Sequence, residues 1–278
     1  MILAAWSTTP STLHAVRNLT EAELEESNKY TPIYSEAKRR LHLFRVLALN
    51  YQEWLDYLKL LLRPETTDHD EIELRLNQRL FNFLTNAYAI HEHFETSYRR
   101  RFRKDRKKLE AHKKHESNLQ STYWSYAFFS DFRNYVQHCD MPVGSFSRHV
   151  APTKVEVQVM QDAARLVKDD PRGWKRSHLN IGAGSLNLVN LLSEYYIILV
   201  QEYGSFVATT FFPELFQAAE FYTRLSKEAV STRQGFRMVF VDTPQIRKTS
   251  PGRLDTDLNI TIVPNDVFAE LGIRRSHR

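Results

Sequence analysis

From Ser35 to Arg103 the sequence keeps a helical period, broken once by Pro64 and the polar stretch from Glu65 to Asp70. The first run, Ser35 to about Leu62, carries Leu41, Phe44, Leu47, Leu49, Tyr51, Trp54, Tyr57, Leu58 and Leu61 on a broad apolar face. The second, Asp70 to about Arg103, carries Leu74, Leu76, Leu80, Phe81, Phe83, Leu84, Tyr88, Ile90 and Phe94 as its expected buried set. Two helices of this length with so short a connection are expected to pack antiparallel. With only 8 Gly and 10 Pro in 278 residues, the rest of the chain has little material for a many-turned β fold.

The stretch from Leu119 to His138 predicts a third helix, with Trp124, Phe128, Phe132 and Val136 four apart and Tyr135 beside them. Ser130, Asn134 and His138 recur four apart on the other side, so an aromatic back opposes a polar front. Pro142 ends the helix. Surplus aromatics at Tyr123, Tyr126, Phe129 and Tyr135 exceed what one stripe can bury and are expected at an interface.

Other segments are shorter. Residues 1–19 read as irregular. Thr20 and Glu23 form a capping-box pattern opening a short acidic helix. Val155, Val157 and Val159 alternate with polar residues, predicting a strand paired with residues 145–150, a β insertion at about 145–160. A short helix over 162–168, a long apolar helix over 185–203, an amphipathic helix over 212–230 and strands over 236–242 and 258–263 follow. Asn265 is expected to cap a last helix ending at Gly272. The resulting division is a helical domain over 1–230 and a small α/β extension over 231–278.

Charge is concentrated. Residues 99–108 hold Arg99, Arg100, Arg101, Arg103, Lys104, Arg106, Lys107 and Lys108, while the rest of the chain carries 30 basic and 32 acidic residues. Such a run fits a polyanion such as RNA, or else a solvated helix end. No segment reaches the uncharged apolar length of a membrane span, and the N-terminus lacks a signal-peptide pattern. The single cysteine, Cys139, fits a reducing cytoplasm.

Arg133, Asn134 and His138 stand as R-N-x-x-x-H at the end of the aromatic helix. The pattern resembles the catalytic motif of HEPN domains, the all-helical nucleotide-associated domains of prokaryotic toxins and defence systems. The likeness covers about residues 35–205, and the stretch from Leu76 to Phe94 is similar to the first helical hairpin of members carrying RNYxQH. It implies a mainly α, HEPN-like bundle. It also implies a metal-independent endoribonuclease of a toxin or anti-phage defence system, leaving a 2′,3′-cyclic phosphate and a 5′-hydroxyl. The motif residues of HEPN nucleases commonly face each other in a homodimer, and an antitoxin or defence-system partner is a further expectation. The β insertion and the C-terminal strands depart from the minimal domain, and Asp140 stands where many members carry a modifiable tyrosine.

The residue types suit that chemistry. Histidine titrates near neutral pH and can carry protons to and from the 2′-hydroxyl and the leaving oxygen. A guanidinium matches phosphate geometry with paired hydrogen bonds. Asn134, one turn from His138, can orient the imidazole or bind phosphate. No cofactor or metal is needed: His91, His93, His112 and His115 lack the spacing of known zinc sites. Asn82 and Asn86 are read as polar core residues facing the motif. The glycine-rich stretch 181–185 lacks the lysine of a phosphate loop, and Cys139 diverges from His138 on a helix. Three rivals remain: a non-catalytic nucleotide-, RNA- or protein-binding module of the same kind, a structural interaction module in which the aromatic helix mediates assembly, and a bland reading. In the bland reading Arg133 pairs with Asp131 or Asp140 and His138 is a helix C-terminal residue.

Overall fold

The computed structural model describes residues 1–8, 11–63, 68–151, 154–212, 214–230, 237–241 and 260–262. The fold is mainly α, with seven α-helices among the described residues and two small antiparallel sheets. The expected helix over 265–272 and the turn at 64–67 lie outside the described residues. Two compact units emerge, residues 40–206 and residues 1–39 with 207–278.

The unit over 40–206 is built on long helices. Helix α1 spans Glu21–Leu61 and α2 spans His69–Arg101. The Asp68 carboxylate caps α2 by accepting from the Asp70 amide at 3.2 Å. Asp70 and Glu71 in its first turn and Arg99, Arg100 and Arg101 in its last complement the helix dipole. The two helices are antiparallel, as the sequence predicts: Arg40 meets His93 at 3.1 Å, Tyr51 packs on Phe83, and the Arg79 guanidinium lies over Tyr57. Leu49, Leu74, Phe81 and Tyr88 of the expected apolar faces are instead exposed.

The chain then turns through α3 (Arg106–Thr122), which runs back along α2 with His112 stacked on Tyr98, and enters α4 (Trp124–His138). One residue, Tyr123, separates them in extended conformation, accepting no side-chain cap. The expected helix over 119–138 is therefore two helices, with 119–122 belonging to the first. The aromatic side chains of α4 force that break. Trp124 donates its indole N–H to the Ser177 carbonyl, and Phe128 stacks against Trp174, so α4 is aimed by its packing partners and not by the axis of α3.

A hairpin of β3 (Ser145–Ala151) and β4 (Lys154–Asp162) follows, in register Phe146↔Val159. A third strand, β5 (Ser185–Asn187), extends it through Met160↔Asn187. Helix α5 (Ala163–Asp169) is capped by Asp162. The long apolar helix begins three residues later than expected, as α6 (Leu188–Phe211), because residues 185–187 are taken by the sheet. Its buried face carries Leu188, Leu192, Tyr195, Ile198 and Leu199, while Ile197 is 57% exposed, so the helix is covered on one side only. Tyr196 stacks on Tyr51, Tyr203 on Phe44 and Phe206 on Phe94.

The other unit is a sheet with helices. Residues 2–8 and 11–18 are strands β1 and β2, not irregular chain. Helix α7 spans Glu214–Val230, β6 Arg237–Val241 and β7 Ile260–Ile262. The strand order is β2-β1-β6-β7, so the C-terminal strands complete a sheet begun by the N-terminus instead of standing apart as a 231–278 extension. Ala4, Val239 and Val241 form its core, and Tyr222 of α7 packs on Phe240. The capping box is present: Glu23 N–H donates to Thr20 Oγ1 at 3.2 Å and Thr20 N–H to Glu23 Oε2 at 3.0 Å. It opens the 41-residue α1, however, which passes through Pro32 without stopping.

Arg17 of β2 bridges Glu23 and Glu228 at 2.7 and 2.5 Å. Its guanidinium pulls the Glu23 carboxyl down to about 2 from the usual 4.5. A depressed carboxyl stabilises the fold above its unfolded pKa and ceases to do so as pH falls through the folded one. Glu23→Gln should therefore lower stability at neutral pH by no more than about 1 kcal/mol, as for a solvent-accessible pair. Between pH 4.5 and about 2 it should flatten the acid loss of stability. Urea denaturation across that window checks both.

Candidate functional site

The aromatic face of α4 decides what the helix presents elsewhere. Phe128, Phe132 and Tyr135 are buried around Trp174, and Phe129 stacks on Tyr195. Tyr126, Phe129 and Tyr135 are each 1% exposed, so the surplus aromatics are interior and not an interface. Trp174, contributed by the loop after α5, and Tyr195 of α6 give them cover that no single-helix projection reveals. What remains on α4 is the stripe Tyr126, Ser130, Arg133 and Asn134.

That stripe lines a cavity of about 350 Å³. Helix α2 supplies Leu84, Tyr88, His91, Glu92 and Glu95; α3 supplies Glu116 and Gln120; Arg176 and Tyr195 close it. The Arg133 guanidinium lies over the Tyr88 ring, 3.6 Å from its centroid, and donates through Nη1 to Asn134 Oδ1 at 3.0 Å. Its Nε is buried and finds no hydrogen-bond partner among the described residues. A donor in that position is costly unless a ligand supplies the acceptor.

Two of the three motif residues are thus brought together, and the third is not. His138 is exposed at the last position of α4 and does not line the cavity. Asp131 and Asp140 do not pair with Arg133: Asp140 meets Arg165, and Asp131 is committed elsewhere. Asp131 is 2% exposed. It accepts from the backbone N–H groups of Arg176 and Ser177 at 2.8 and 2.9 Å, from the Ser177 hydroxyl at 3.0 Å, and from the Arg176 guanidinium at 3.3 Å. This carboxylate pins the loop that carries Arg176 to the cavity.

The same loop forms a second hollow, lined by Asp131, Asn134, Arg172, Gly173, Lys175 and Arg176. Arg172, Lys175 and Arg176 are exposed there. A side chain at Gly173 would displace the Asp170 carboxylate, which packs close against it. Asn134 and Arg176 stand between the two hollows and belong to both.

The cavity is electrically uneven. At the α3 end, burial together with Glu95 and Glu202 raises the Glu116 pKa. His91 lies between the Tyr126 and Tyr195 hydroxyls, 3.3 Å from Nδ1 and 3.4 Å from Nε2. Burial, and secondarily Arg176, holds its pKa down to about 4, so the ring is neutral at pH 7. Burial also raises the hydroxyl pKa values of Tyr126 and Tyr195. The cationic end is that of Arg133.

The basic run occupies the α2–α3 corner. Arg99 pairs with Glu95 at 2.5 Å, Arg106 with Glu110 at 2.8 Å, and Lys108 lies over Phe102. Arg100, Arg103, Lys104 and Lys107 are exposed, and Arg101 is half-buried. The four candidate histidines disperse: His93 meets Arg40, His112 stacks on Tyr98 and His115 pairs with Glu202 at 2.7 Å. Among the described residues no group of three or more His, Cys, Asp or Glu is placed to hold a metal ion. Asn82 is exposed, and Asn86 donates to the Asn82 carbonyl, so neither is a core residue facing the motif. Cys139 is exposed, and its thiol pKa is raised by desolvation and by Asp170, Asp169 and Asp140.

Sequence reasoning missed Tyr88, His91, Glu116 and Arg176 as site residues. Tyr88, His91 and Glu95 carry a faint signal, a polar stripe spaced three and four along α2, but Arg176 reaches the cavity only through its tertiary anchor.

Asp131→Ala removes the acceptor of two backbone amides and leaves a charged partner unpaired. It should cost on the order of 3 kcal/mol in thermal or chemical denaturation. Asp140→Ala, which breaks an exposed pair with Arg165, should cost less than about 1 kcal/mol. Comparison of the chain with known protein families, with curated proteins and with solved structures gives no match.

Proposed function

We propose that this protein is a metal-independent endoribonuclease of HEPN-like character. The observation that carries the reading is Arg133, held over Tyr88 at the wall of a polar cavity with a buried, unpartnered Nε. Arg133 binds the scissile phosphate, Asn134 assists, and His138 transfers protons from the exposed end of the same helix. The basic hollow of Arg172, Lys175 and Arg176 continues the path of the RNA backbone past Asn134, and the corner at residues 99–108 draws RNA in. A toxin or anti-phage setting, a homodimer that brings two motifs together and an antitoxin partner belong to the same proposal. With the surplus aromatics interior, the dimer rests on the resemblance alone.

A second reading has one observation in its favour. His138 lies outside the cavity that Arg133 and Asn134 line, as it would in a non-catalytic nucleotide- or RNA-binding module. Incubation of the pure protein with total RNA in EDTA separates the two. Cleavage that disappears in both Arg133→Ala and His138→Ala, each still folded by circular dichroism, is the expected result. RNA binding with no cleavage by the wild type selects the binding module, and neither binding nor cleavage removes both.

The basic corner makes a separate prediction. Single-stranded RNA binding releases counterions with a slope near −0.7 per neutralised phosphate in log K against log salt. Changing Arg100, Arg103, Lys104 and Lys107 to Gln should flatten that slope by up to about 3 units. An unchanged slope assigns the corner to solvent.

A further inference from the structure

We propose that the cavity between α2, α3 and α4 is a guanine-selective nucleotide subsite, with Arg133 on the phosphate and Glu116 and Gln120 on the Watson–Crick edge of the base. The choice of guanine deepens the ribonuclease reading and rests on it for the identity of the polymer, though not for mononucleotide binding.

The cavity has a direction. Tyr88, beneath Arg133, and Glu95, whose charge acts on Glu116, are seven residues apart on α2. At about 1.5 Å rise per residue that separation is about 10 Å along the helix. An anion enters favourably at the Arg133 end, where the guanidinium supplies positive charge at the cavity wall. The other end favours an anion less: Glu95, Glu116 and Glu202 interact there, although Arg99 and His115 pair with the first and last. A ligand that fills the length is therefore anionic at one end and offers hydrogen-bond donors at the other.

The far end is more specific than a set of acids. Glu116 and Gln120 are one turn apart on α3, so both project into the cavity from the same face. A carboxylate presents two acceptors side by side, and a neighbouring amide presents N–H donors. Guanine has the matching edge: adjacent donors at N1 and N2, and an acceptor at O6. Uracil and cytosine offer donors at one atom only, and adenine sets its amino group beside an acceptor that a carboxylate repels. Tyr126, Phe129 and Tyr195, buried against one another, back the space between the ends with aromatic carbon. At about 350 Å³ the cavity falls at the small end of ligand sites, the scale of a single nucleotide. The raised Glu116 pKa agrees with a carboxylate short of donors: burial, Glu95 and Glu202 outweigh the opposing charges of His115 and Arg176.

The test is equilibrium binding of GMP, AMP, CMP, UMP and inorganic phosphate to the full chain, in EDTA. GMP is expected to bind at least tenfold more tightly than the other three nucleotides. Glu116→Gln, close in shape, should abolish that preference while leaving inorganic phosphate binding unchanged. Arg133→Ala should weaken all four nucleotides without changing their order. Equal affinities for the four nucleotides would overturn the proposal, as would selectivity that survives in Glu116→Gln. Because the readout is binding, selective GMP uptake by a protein that cleaves no RNA keeps the subsite and removes the ribonuclease. Cleavage of RNA without GMP selectivity does the reverse.

Discussion

Cover for the aromatic side chains of α4 is the requirement on which the other features of residues 40–206 depend. A fifteen-residue helix carrying this many rings cannot hide them against one neighbour. Phe128, Phe132 and Tyr135 use Trp174, while Tyr126 and Phe129 use Tyr195. Those contacts fix the rotation of the helix about its axis, and the fixed rotation turns Ser130, Arg133 and Asn134 inward. The position of a charged group is thus set by apolar packing, which is why the sequence motif acquires a definite environment. Burying such rings contributes on the order of 2 kcal/mol each.

Asp131 performs the complementary task on the polar side. Placed between Ser130 and Phe132, it points away from the cavity and takes two amides and a hydroxyl from the 176–177 loop. The loop carries Trp174 on one flank and Arg176 on the other. One carboxylate therefore couples the apolar cover of α4 to the arrival of a second guanidinium at the cavity. A helix and a loop more than forty residues apart in sequence become one rigid wall.

Much of this was legible from the residues, and what was not has identifiable causes. The antiparallel pair α1 and α2, the capping box at Thr20 and Glu23, and the strand of alternating valines are local signals, and each appears where periodicity or turn chemistry puts it. The N-terminal hairpin was not legible because β1 owes its place to β6, some 230 residues away, and its Ala4 and Ala5 carry little strand preference of their own. Tyr123 separates two helices without glycine or proline, so no breaker marks it. At the site, the motif resemblance singled out Arg133, Asn134 and His138, of which only the first two line the cavity, while His91, Glu116 and Arg176 reach it from three separate segments. The projection that sent Tyr126, Phe129 and Tyr135 to an interface counted only one helix and missed a tryptophan in a loop.

Arg133 lies flat on Tyr88, and that posture divides the guanidinium into two working surfaces. Its face is spent on the ring, where the attraction is to π density and asks nothing of direction. Its rim, carrying the N–H groups, stays available, and one part of the rim is already satisfied by Asn134. An incoming oxyanion therefore approaches in the guanidinium plane, through the N–H groups that Asn134 leaves free. An ammonium at this position would carry the same charge but no plane, and would accept an anion from any side. The tyrosine thus acts as a compass for the charge above it, setting the bearing of a ligand before the ligand makes contact.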